Sequence, residues 1–106
     1  MEIKFKSERE RVLFNTGQEL VKQFGPENAK KIKARMVQLQ AASSLAEMIR
    51  LPQGRCHNLT GDRKGTFAVD LKHPRRLIFE PADEPIPKKP DGGIDLAAVK
   101  TIRILE

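Results

Sequence analysis

Tryptophan and tyrosine are absent from this chain, cysteine occurs once and histidine twice, and no apolar run approaches the roughly 20 residues that a membrane helix needs. Each absence excludes something. With Cys56 as the single thiol, no disulfide can form within the chain, a usage that fits a reducing cytoplasm. The opening MEIKFKSERER sets a charge beside every apolar residue and so contains no signal-peptide core. A cytoplasmic protein with no membrane partner is therefore expected, and the sequon Asn58-Leu59-Thr60 reads as an accident of sequence. Without Trp or Tyr, any stacking on a nucleic-acid base falls to the five Phe, to His or to Arg planes. There is no G-x-S-x-G motif, no P-loop and no dinucleotide fingerprint.

What the chain does hold is positive charge. Lys and Arg number 20 against 14 Asp and Glu, giving a formal net charge of +6. At 106 residues, one domain spanning 1–106, that balance suggests a polyanionic or acidic partner without fixing any chemistry.

The residue pattern predicts a strand, then helices, then more strands. Residues 3 to 6, IKFK, alternate apolar and basic, placing Ile3 and Phe5 on one face. Capping boxes follow at Ser7-Glu8-Arg9-Glu10, Thr16-Gly17-Gln18-Glu19 and Ser44-Leu45-Ala46-Glu47, so the helical region should be segmented at these points. Gly25-Pro26 ends one helix and begins another. From Pro26 to about Leu39, apolar Ala29, Ile32, Met36 and Leu39 recur at helical spacing, with Lys30, Lys31, Lys33 and Arg35 on other faces.

After Pro52 the pattern turns to alternation. RCHNLT reads as a strand, and Gly61 to Gly65 as a turn into TFAVDLK, with Phe67, Val69 and Leu71 on one face and Ala68, Asp70 and Lys72 on the other. His73-Pro74-Arg75 makes a second turn into RLIFEP, whose consecutive apolar residues fit a central strand covered on both faces. Residues 81 to 95 form a Pro-rich loop, and AVKTIRILE closes with a last strand. The order argues for an α+β domain: N-terminal helices packed on one face of a small, mainly antiparallel twisted sheet, whose other face is free for binding.

Two sets of side chains invite chemistry. Cys56, His57 and His73 are the only soft or imidazole ligands, but Cys56 and His57 are adjacent on a predicted strand and point to opposite faces, so neither a metal nor any other cofactor is expected. Cys56 itself reads as a small buried hydrophobe rather than a nucleophile. The second set is cationic: Arg55, His57, Arg63, Lys64, Lys72, His73, Arg75 and Arg76 gather on adjacent strands and their turns. Arg offers a planar fork to phosphate oxygens, Lys a point charge, and His a proton acceptor or donor near neutral pH. Such a set can cleave RNA without metal, a base taking the 2′-hydroxyl proton while cations hold the charge that develops on phosphorus. The plainer reading stands beside it: strand residues alternate faces, Arg63 and Lys64 are turn residues of the kind that merely face water, and His57 shares parity with Leu59, as a partly buried histidine would.

Three segments in order carry a family resemblance: NAKKIKARM in the second helical segment, the unit P-x-x-R-C-H-x-L-x-G-D-R-K-G, and D-L-x-H-P-x-R-L-I-F-E-P. Together, and over nearly the whole chain, they resemble the HigB-like killer proteins, plasmid-maintenance toxins of the RelE/ParE toxin superfamily. The resemblance implies a compact domain of N-terminal helices on a twisted antiparallel sheet, and ribosome-dependent cleavage of messenger RNA without metal. It implies as partners the ribosome with its message and a cognate HigA-like helix-turn-helix antitoxin, with operator DNA reached only through that antitoxin. On this reading His57 is the acid or base, Arg55 and Arg76 complete the catalytic set, and Arg63, Lys64, Lys72, His73 and Arg75 bind RNA. Relatives of this kind commonly continue after the last strand with an Asp-Tyr-His segment associated with the active site. Here the chain ends at Ile104-Leu105-Glu106 and has no Tyr, which implies either a truncated, antitoxin-binding toxin or chemistry done by the remaining basic residues. Other members of the superfamily poison DNA gyrase, a third alternative.

Overall fold

The computed structural model describes residues 1–106, apart from the side chain of Asp62. Strand β1 is Glu2–Phe5, and three helices follow: α1 (Glu8–Asn15), α2 (Gly17–Ala41) and α3 (Leu45–Arg50). Four strands complete the chain: β2 (His57–Asn58), β3 (Phe67–Asp70), β4 (Arg76–Pro81) and β5 (Thr101–Ile104).

Local chemistry sets the helix boundaries. Ser7 Oγ accepts from the Glu10 amide and Ser44 Oγ from the Glu47 amide, so the first and third capping boxes open α1 and α3 as expected. Thr16 also marks a break, but by a different bond: its hydroxyl donates to the Val12 carbonyl at 2.7 Å and makes no cap to α2. At Gly25 the backbone turns to φ 85°, ψ 161°, a conformation glycine adopts without Cβ strain, and Pro26 restarts the helix.

The sheet runs β1-β5-β4-β3-β2. Three of its pairings are antiparallel, and the parallel one joins β1 to β5, first strand to last. The helices lie on one face. There Phe14, Leu20, Ile32, Leu39, Leu45 and Met48 pack against Phe67, Val69, Leu77, Phe79, Ile102 and Ile104 in a single core. Phe67 and Phe79, opposite each other in register, stack with centroids 6.0 Å apart. The expected α+β architecture is thus the one observed, with β4 the central strand and Leu77, Ile78 and Phe79 all buried.

One expectation needs correction and another gains detail. RCHNLT forms only the two-residue strand β2, because Gly54 and Arg55 both take positive φ and hold the chain in a turn just before it. Residues 81 to 95 are irregular but not featureless: β4 runs through Pro81, and Lys88 and Ile94 form an antiparallel bridge closed by a tight turn at Gly92. No helix among the described residues is long and apolar enough to cross a membrane.

Candidate nucleic-acid interface

The register determines what shares the sheet face away from the helices. His57 pairs with Ala68 and Ala68 with Ile78; one step along, Asp70 pairs with Arg76. Toward the other edge Glu80 pairs with Arg103 and Arg103 with Lys4. Alternation puts all of these on the face opposite Phe67 and Phe79. Two strand spacings of about 4.8 Å and two residues of about 3.4 Å separate His57 from Arg76, or about 12 Å between Cα atoms. This face is less open than expected, since Ala68 and Ile78 at its centre are as buried as the core.

His57 is held by the turn that precedes it. Gly54 sits at φ 81°, and a Cβ there would stand 2.7 Å from Nε of Arg35, so only glycine fits. Arg35 uses that approach to donate Nε to the Asp70 carbonyl at 2.9 Å, and the Asp70 amide donates to the Gly54 carbonyl at 2.6 Å. Arg55 then adopts φ 47°, a left-handed conformation costly for a residue with a Cβ. Its guanidinium lies 3.3 Å from the Asp70 carboxylate, and its carbonyl lies 2.7 Å from Nδ1 of His57. A carbonyl can only accept, so Nδ1 carries the hydrogen, and Nε2 is the nitrogen able to exchange a proton with a ligand.

The other cations divide by location. Arg76 is exposed on the outer face and forms no ion pair among the described residues. Arg63 reaches the Glu106 carboxylate at 2.5 Å, while Lys64 is an exposed turn residue. Lys72 does not join the outer face as strand parity suggested. Strand β3 ends at Asp70, and beyond it the Lys72 ammonium turns toward the helices, 2.9 Å from Glu27, while its amide donates to the buried Asn28 side chain. Arg75 also turns that way, its guanidinium 5.5 Å above the Phe24 ring. His73 is exposed in the β3–β4 turn. The structure therefore brings His57, Arg55 and Arg76 to one face and places Lys72 and Arg75 on another.

Sequence reasoning missed Lys4 and Arg103 on the outer face, and Asp70 as the carboxylate that holds Arg55. The alternation in Thr101-Ile102-Arg103-Ile104 was signal enough to turn Arg103 away from the core, but nothing local said which strands flank it. Cys56 is buried, and burial pushes its thiol up to about 12, which removes it as a nucleophile.

A scan of the sequence against protein-family models finds no match, and no curated protein matches it.

Proposed function

We propose that this chain is a HigB-like toxin of the RelE/ParE superfamily that cleaves messenger RNA on the ribosome without a metal, in the cytoplasm. The observation that carries the reading is His57 on the outer face, with Nδ1 fixed to the Arg55 carbonyl and Arg76 exposed on the same face. Nε2 takes the proton of a 2′-hydroxyl. The 2′-oxygen attacks phosphorus, the bond to the 5′-oxygen breaks, and that oxygen takes a proton from solvent, leaving a cyclic phosphate. Arg76 and the guanidinium of Arg55 neutralise the oxygens on phosphorus. A cognate HigA-like helix-turn-helix antitoxin silences the protein and links it to operator DNA.

A second reading, an inactive toxin that only binds its antitoxin, draws on two ion pairs and one absence. Arg55 and Arg63 are already engaged by Asp70 and Glu106, and there is no Tyr to assist proton transfer. Pulse labelling of induced cells tests the proposal against both alternatives. The toxin reading expects protein synthesis to stop first. Arrest of DNA synthesis first would point to gyrase, and unimpaired growth to the binding-only protein.

A further inference from the structure

On the helix side of the sheet, beyond the β2 edge, a cleft of about 540 Å³ opens between the β2–β3 turn and the 88–94 hairpin. Three lysines from these two segments line it: Lys64 from the turn, and Lys88 and Lys89 from the hairpin. All three are exposed, and among the described residues none pairs with a carboxylate and no Asp or Glu lines the cleft. The nearby Asp91 is turned into its own loop, accepting from the Gly93 amide at 2.8 Å. Like charges gathered with no ion pair among the described residues raise the local potential and favour an anion there.

The walls suit a polymer rather than a lone ion. Half-buried Leu59, Ile94 and Leu96 line it, apolar surface that a sugar or base can cover, while Gly65 and Gly92 leave open space where side chains would stand. Position adds the connection. Asn58 lines the cleft, and its neighbour His57 belongs to the outer face, so the two-residue strand β2 is all that separates them.

We propose that this cleft is a second phosphodiester-binding site, which takes single-stranded RNA continuing around the β2 edge from the outer face. The identity of the polyanion rests on the proposed function; the cleft and its three exposed lysines do not. Each lysine contacts a phosphate, and Leu59, Ile94 and Leu96 accept sugar and base surface without sequence preference.

Amide NMR of the intact chain titrated with hexauridylate reads both faces in one experiment. The Gly65, Gly92 and Gly93 amides should shift and saturate. In parallel, the salt dependence of binding should weaken in a Lys64→Ala/Lys88→Ala/Lys89→Ala variant, the log–log slope falling by about 2 for three lost contacts to a single strand. A Lys6→Ala/Lys22→Ala/Lys30→Ala control, equal in charge removed, should keep most of the slope. Glycine amides that stay still, or equal slopes in variant and control, overturn the proposal. The amides of Ala68 and Arg76 report the outer face separately: if they move while the glycines do not, the RNA reading survives and the cleft falls. If the glycines move alone, the cleft stands and the outer-face reading falls. If neither set moves, both fall.

Discussion

Nδ1 of His57 lies 2.7 Å from the backbone oxygen of Arg55, a residue with a Cβ held at a φ of 47°. The strained turn aims a carbonyl at an imidazole and so selects its tautomer. Arg55→Gly relaxes the backbone and removes the guanidinium, whereas Arg55→Ala removes the same guanidinium and keeps the strain. The glycine variant should be the more stable by about 1 kcal/mol, measured by urea unfolding. Nitrogen chemical shifts should show neutral His57 protonated at Nδ1 in wild type and in Arg55→Gly. An Nε2–H form in wild type would remove the proton-accepting role.

The clasp between the β3–β4 hairpin and α2 should respond to acid. The hydrogen bond from Lys72 is the main cause holding the Glu27 carboxyl below its ordinary value, and the same bond raises Lys72. A depressed carboxylate favours the paired fold above the ordinary carboxylate pKa, and the contribution is lost as pH falls through the lowered value. The pair is exposed, so its effect on global stability is small. Carbon NMR should place the Glu27 midpoint lower in wild type than in Lys72→Ala. Identical midpoints would deny the contact.

The thiol of Cys56 should be inert in the folded protein. Its raised pKa, to about 12, means that the folded state keeps a proton the unfolded state gives up. Stability from this group is therefore whole below the ordinary thiol pKa and declines as pH rises from there toward 12. A disulfide reagent at pH 8 should label Cys56 only as fast as the protein unfolds, and at once in denaturant. Rapid labelling of the native protein would contradict its burial.

The same residues explain what could be read from the sequence. Ser7, Ser44 and Gly25-Pro26 mark helix boundaries through bonds made within a few residues, and Phe67 and Val69 declare the core face by alternation. These features are local, so they were legible. The parallel pairing of β1 with β5 joins distant segments, and it alone makes Lys4 and Arg103 neighbours. Lys72 was misplaced because parity holds only while a strand lasts, and β3 ends at Asp70. The left-handed Arg55 gives no sign in sequence, because the preceding Gly54 is the residue that ordinarily announces such a turn. In the candidate site, residue type singled out His57 and Arg76, whereas the turn that orients His57 emerged only from the fold.

The most direct test of the central claim is the fate of messenger RNA in a reconstituted translation reaction given wild-type protein, His57→Ala, Arg76→Ala or Lys22→Ala. Loss of a general base should slow cleavage by 10² to 10⁴-fold in His57→Ala. Arg76→Ala should also be slow, and Lys22→Ala, altered far from the outer face, should match wild type. Message cut only while being translated, by wild type and Lys22→Ala but not by the other two at comparable rates, is the predicted result. An intact message with wild-type protein, or undiminished cleavage by His57→Ala, would contradict the account.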